Sequence, residues 1–168
     1  VGGCSTLRDE DPDGSPCRDS VTKGGSDELL ARVDRAEEEI VEVLEEIERR
    51  GPDARVLVVG YPAIFPEQGS CPDRLPLADG DTTYAAEVMA AMVAAQRSAA
   101  ERAGVEFVDV YAATRGHDIC AEDPWIQDKE NDRRKAMAFH PFAKEQEVVA
   151  GLIVTMLREA ASPQPEVT

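Results

Sequence analysis

Ala54-Arg55-Val56-Leu57-Val58-Val59-Gly60-Tyr61-Pro62 is the stretch that decides the fold. Four consecutive apolar residues, Val56 to Val59, follow a charged one and stop at Gly60-Tyr61-Pro62. A short apolar run flanked by helical patterns reads as a strand buried on both faces, the kind used in parallel sheets. Upstream, Leu29, Val33, Ala36, Ile40, Leu44 and Ile47 recur every three or four residues and predict a helix over 27–50. Ser26 can cap it, Asp27 and Glu28 suit its positive end, and Arg49 and Arg50 suit the other. Gly51-Pro52 stops it. The acidic run Glu37-Glu38-Glu39 reads as its solvated face.

Downstream, residues 83–103 read as an Ala-rich helix with Val88, Met92 and Ala95 on one face, ended by Gly104. Val105 to Val110 reads as a second strand. Pro141 to Ala161 reads as a last helix that buries Val148, Val149, Leu152, Ile153, Met156 and Leu157. The order helix, strand, loop, helix, strand, loop, helix implies a parallel sheet with helices on its faces. Two strands are too few for a stable open sheet. More strands are therefore expected upstream of Val1, with residues 1–168 forming a single domain, incomplete at its N-terminus. Residues 1–25, rich in Gly, Asp, Ser and Pro, read as a loop. The tail from Ser162 is expected to fray.

The chain's 168 residues and 18.2 kDa suit one domain. Asp and Glu number 34 against 18 Lys and Arg, a net charge of −16. Without a basic footprint, nucleic acid is excluded as a partner, and so are anionic lipid heads. The longest mostly apolar run, Val148 to Leu157, is about half of the ~20 residues a spanning helix needs, so no stable membrane insertion is expected. No signal peptide is recognisable, and the chain begins at Val1. No metal or cofactor is implied.

Four cysteines stand at 4, 17, 71 and 120, none as CxxC. An even count without metal spacing suggests two disulfides and an oxidising compartment. Three pairings are possible. Cys4–Cys17 with Cys71–Cys120 is favoured, because each bond would pin a loop lacking regular structure. In the loop-entropy account these closures contribute up to ~3 and ~4 kcal/mol. The alternative is four reduced thiols in a cytosolic protein.

Sites in parallel α/β sheets form beyond the carboxyl ends of the strands. Gly60-Tyr61-Pro62 and the loop 112–140 occupy that position. The second loop holds Trp125 and both histidines, His117 and His140.

Ala54 to Pro62, followed by Phe65-Pro66, resembles the central strand of secreted SGNH (GDSL) esterases and lipases, especially the actinobacterial group. Val108-Asp109-Val110-Tyr111, Gly116-His117-Asp118-Ile119-Cys120, Asp123-Pro124-Trp125 and Phe139-His140-Pro141 are similar to the same group in order and spacing. The resemblance covers roughly residues 17–157. It implies a flavodoxin-like three-layer α/β/α sandwich, an ester hydrolase with a Ser nucleophile, and a late disulfide between Cys71 and Cys120. It also implies secretion and a small-molecule or lipid ester as substrate. By resemblance His140 is the general base, since a Ser hydroxyl is a poor nucleophile until a neutral imidazole takes its proton. His117 matches no catalytic position and reads as a loop residue.

Many members carry Asp three residues before the His; here that position is Met137. Its backbone carbonyl is expected to orient the imidazole, with Asp132 as the weaker alternative. Where the family has Asn after His-Pro, this chain has Phe142. The family's Gly-Asp-Ser nucleophile motif is absent from the sequence. Gly24-Gly25-Ser26-Asp27 imitates the family's Gly-Asn-Asp block, but Ser26 already has a role as helix cap. The expected nucleophile therefore lies in an upstream segment of the same protein. Tyr61, Phe65 and Trp125 are candidates for an acyl pocket, or else loop anchors. Competing readings are a non-catalytic secreted domain derived from such a hydrolase, and a cytosolic flavodoxin-like binding module.

Overall fold

A computed structural model describes residues 2–161; the tail expected to fray from Ser162 lies outside the described residues. In chain order the elements are α1 (Gly2–Ser5), a 3-10 turn (Arg8–Glu10), α2 (Pro16–Val21), and the hairpin β1 (Thr22–Lys23) and β2 (Ser26–Asp27). Then come α3 (Glu28–Arg50), β3 (Leu57–Val59), α4 (Asp79–Ala103), β4 (Glu106–Val108), α5 (Val110–Thr114) and α6 (Ala143–Ala161). β3 and β4 pair in parallel, Val58 opposite Phe107, with α4 as the crossover. This is the α/β architecture with a parallel sheet that the apolar run at Val56 to Val59 implied.

α3 begins one residue later than the periodicity suggests, and its cap is Asp27 rather than Ser26. The Asp27 carboxylate accepts the N–H groups of Leu29 and Leu30 at 2.9 and 3.0 Å, satisfying two donors that a helix start leaves unpaired. α4 ends at Gly104, whose φ of 72° is left-handed. The N–H of Val105 then reaches back to the carbonyl of Ala100, a helix stop that favours glycine because it has no Cβ to clash. Glu37 and Glu38 are not simply solvated: both bind Arg102 of α4, and Glu37 also accepts the Ser98 hydroxyl at 2.7 Å. Together these contacts tie α3 to α4.

Several boundaries differ from the sequence reading. β4 is shorter, because Asp109 turns the chain and caps α5, accepting the N–H of Ala112 at 3.1 Å. Val110 is therefore helical, and buried. The last helix starts at Ala143, since His140 and Pro141 are held in extended pairing with residues 126–127. Its apolar row is only half-buried, and Leu157 is exposed. Likewise Ile47 of α3 is exposed, and Val59 of β3, expected to be buried on both faces, is 42% exposed. The reason is common to all: among the described residues, nothing packs over these faces.

Residues 1–25, read as loop, hold α1, α2 and β1, braced by the Cys4–Cys17 disulfide. The bracing extends to α4. Ser15, at the start of α2, makes no capping bond. Instead the buried carboxylate of Asp81 accepts the N–H groups of Cys17 and Arg18 at 2.9 and 3.0 Å. The approach is close enough that a Cβ on Gly80 would lie 2.0 Å from Ser15 Oγ and 2.8 Å from the Gly14 carbonyl.

Two clusters make the core. Val41, Leu44 and Ala99 join α3 to α4 with Val56 and Val58 beneath. Leu75, Leu77, Ile119 and Ile126 form a second cluster built wholly from loops, with Phe65, Phe139 and the Cys71–Cys120 disulfide against it. Both disulfides pair as favoured from the sequence.

Candidate active site

The loops leaving the carboxyl ends of β3 and β4 are laced together. The N–H of Ala63 donates to the buried Thr114 hydroxyl at 2.9 Å, and that of Ile119 to the Ile64 carbonyl at 3.1 Å. From this laced region the chain runs through Trp125, Ile126 and Gln127, and residues 139–142 return antiparallel to them. The N–H of Gln127 bonds the His140 carbonyl at 2.9 Å. The N–H of Phe139 bonds the Gln127 carbonyl at 3.1 Å, and that of Phe142 the Trp125 carbonyl at 2.7 Å. His140 is thus fixed by its backbone while its imidazole stays exposed.

Nδ1 of His140 lies 2.8 Å from the carbonyl of Ala138. A carbonyl can only accept, so Nδ1 carries a proton, and in the neutral ring Nε2 is the acceptor. This corrects the assignment of the orienting carbonyl to Met137. The Met137 carbonyl instead accepts the backbone N–H of His140 at 3.0 Å, and its side chain is 65% exposed. The cause is the intervening Phe139, at φ 63°. That left-handed turn folds the imidazole back over the carbonyl two residues away rather than three. A bulky residue in this region carries strain of order 1–3 kcal/mol, held here by packing of Phe139 on the loop core. Asp132, the weaker alternative, is engaged elsewhere, accepting the N–H of Arg134 at 2.9 Å. The sequence pointed to a main-chain carbonyl but to the wrong residue, because the left-handed backbone at Phe139 carries no sequence signal.

Tyr61, Phe65 and Trp125 are held in three different settings. Tyr61 is exposed at the end of β3. Phe65 lies between the loop core and a cavity of ≈170 Å³ beneath the Cys4–Cys17 bond, lined also by Leu29, Tyr84, Met89 and Met92. Trp125 stacks on His117, with ring centroids 3.6 Å apart, so His117 is more than a bare loop residue. Tyr84, in the cavity wall, donates to both oxygens of Asp27 at 2.9 and 2.8 Å. Burial, reinforced by that carboxylate, pushes the Tyr84 hydroxyl up to about 12. For Asp27, burial works in the opposite sense to its hydrogen bonds. The Leu30 N–H, the Tyr84 hydroxyl and the Leu29 N–H win, and hold its carboxyl below the usual range. Glu145, in the first turn of α6, is 4% exposed, and burial raises its carboxyl. Among the described residues no cluster of His, Cys, Asp and Glu could hold a metal ion.

A parallel α/β fold with an oriented, exposed imidazole on the loops beyond its strands is a broad structural class that serves many functions. The comparisons narrow that class. The GDSL-like Lipase/Acylhydrolase family matches residues 19–147, and this chain belongs to that family. It is 40% identical over 119 residues to "Lipase 2" of Streptomyces coelicolor, covering 68% of this chain and 39% of that protein. It is 32% identical over 110 residues to a lipase of Streptomyces rimosus, covering 61% of this chain and 40% of that protein. The chain thus spans about two fifths of the length of these curated relatives. Among solved structures, a phospholipase A1 from Streptomyces albidoflavus is similar in fold. The TM-score is 0.61 at 24% identity, over 75% of this chain and 56% of that one. An extracellular lipase from Streptomyces rimosus aligns with TM-score 0.53 at 23% identity, over 90% of this chain and 65% of that one.

Proposed function

We propose that this chain supplies the base and one side of the pocket of a secreted carboxylic-ester hydrolase, with His140 taking the proton of a serine nucleophile. The observation that carries the reading is the 2.8 Å contact from His140 Nδ1 to the Ala138 carbonyl. It sets the tautomer in which Nε2 can accept a proton, and holds the ring while it does so. A carbonyl orients an imidazole but offers an imidazolium less charge stabilisation than a carboxylate would.

The nucleophile is proposed to come from a further segment of the same protein. Three serine hydroxyls of this chain are already engaged: Ser20 with the Cys17 carbonyl, Ser70 with Asp79, and Ser98 with Glu37. The same segment would complete the sheet along the open edge of β3 as part of the one domain, covering Val59. Two disulfides fit an oxidising, extracellular setting. The substrate is read as a small-molecule or lipid ester, drawing on the relatives named as lipases.

In the full-length protein, His140→Ala is expected to lower kcat on a p-nitrophenyl ester by about 1000-fold, the scale of a general base, while the fold persists by circular dichroism. Full activity in that variant would remove His140 from the mechanism. A full-length protein that neither turns over esters nor takes up a serine-reactive phosphonate would instead be a non-catalytic relative.

A further inference from the structure

His117 and Trp125 form a closed unit. Their rings lie nearly parallel, 7° apart, with centroids at 3.6 Å. Asp123 bonds both of them: its carbonyl sits 2.8 Å from His117 Nδ1, and its carboxylate accepts Trp125 Nε1–H at 3.3 Å. The backbone closes the same loop, with the Trp125 N–H donating to the His117 carbonyl at 2.9 Å. Trp125 therefore has its ring face, its ring N–H and its main-chain N–H all engaged within residues 117–125.

The opposite side of Trp125 leads straight to His140. The Trp125 carbonyl accepts the Phe142 N–H at 2.7 Å, Ile126 pairs with Pro141, and Gln127 holds the carbonyl of His140 and the N–H of Phe139. Phe139 is the residue in the left-handed turn that aims the imidazole. Ile126, between Trp125 and Gln127, is 2% exposed and seated in the loop core, so this short strand cannot slide without losing that packing. A conformation that costs energy persists only where neighbours over-determine it.

We infer that Trp125, clamped by His117, is a positioning residue for His140, a splint that holds the strained turn under the imidazole. This inference rests on the reading of His140 as the base. It assigns Trp125 a role through the backbone rather than through contact with the acyl group, and the two roles separate kinetically. A pocket residue lost raises KM; a base displaced by about 1 Å lowers kcat by about 100-fold.

The test is steady-state kinetics of the full-length protein on a soluble p-nitrophenyl ester. Trp125→Ala is expected to reduce kcat by about 100-fold with KM within about twofold, and His117→Ala to reduce kcat by about tenfold. Trp125→Phe, which keeps a ring for the stack, is expected to recover most of the loss. Should Trp125→Ala fail to fold, His117→Ala against His117→Phe reads the same contrast with the indole intact. The splint is overturned if Trp125→Ala leaves kcat within twofold, or if KM alone rises. It is also overturned if His117→Ala and Trp125→Phe both match wild type in a protein where Trp125→Ala is unfolded. His140→Ala, run alongside, separates the two levels. Retained activity there removes the base itself, whereas an inactive His140→Ala with an unaffected Trp125→Ala removes only the splint.

Discussion

The loops beyond the strands gather their apolar residues into a core, whereas the outer faces of α3, β3 and α6 leave theirs in water. The loops 60–78 and 114–142 bury Leu75 and Ile119 completely and Leu77 and Ile126 nearly so, closed by the Cys71–Cys120 bond. The helices and strands leave Val43 58% exposed, with Ile47, Val59 and Leu157 also in water. Regular elements supply direction but need a second layer to cover them. The loops, laced by Ala63–Thr114, Ile119–Ile64 and the pairing at 125–127, supply much of their own cover, with Cys4 of α1 and Ala85 of α4 packed against them. His140, the base proposed above, hangs from these loops.

The largest effect that would test this contrast is truncation of the loop core. Leu75→Ala is expected to cost about 3 kcal/mol in urea unfolding of the full-length protein, the usual scale for a buried leucine. A cost below about 1 kcal/mol would show that the loop core is slack. A smaller effect sharpens the other side of the comparison. If a further part of the domain covers the open face of α3 and β3, Val43→Ser should cost about 1 kcal/mol in the full-length protein. A change within about 0.5 kcal/mol, ordinary for a surface position, would leave that face in solvent.

The smallest effect concerns Glu145, at the head of the half-buried row of α6. Burial raises its carboxyl in the folded state, so folding favours the protonated form. The stability it contributes is present below its unfolded value and is lost as pH rises through the folded one. Glu145→Gln should therefore stabilise at pH 7–8 by about 0.5–1 kcal/mol, with the gain vanishing near pH 4. Equal stability of the two proteins across that range would mean that Glu145 is not desolvated in solution.

What could be read from the sequence divides along the same line. Val56 to Val59 announced the parallel strand, and the spacing from Leu29 to Leu44 announced α3, because local periodicity reports local structure. The disulfide pairing was favoured because each bond would pin an irregular loop; that ground holds for Cys71–Cys120, whereas Cys4 and Cys17 lie in α1 and α2. The loop core was not legible, since Leu75, Ile119 and Ile126 lie far apart in sequence with no period joining them. The proposal of His140 as the base comes from the resemblance. The atom that orients it was not legible: a phenylalanine at φ 63° breaks the usual preference, and no propensity predicts it. Asp81 was missed for a related reason, since its partners, Cys17 and Arg18, stand 64 and 63 residues away.

Asp81 makes the stability of α2 conditional on α4. α2 spans six residues, and its own N-terminal residue offers no side-chain cap. A helix so short is not stable alone. Its cap comes from α4, with the whole of α3 and β3 lying between them in sequence. Contacts of such long sequence separation form only once the intervening chain is closed. The Glu37–Ser98 and Glu38–Arg102 bonds between α3 and α4 span 61 and 64 residues, much as the cap on α2 spans 64, so α2 and the α3–α4 pair depend on α4 alike.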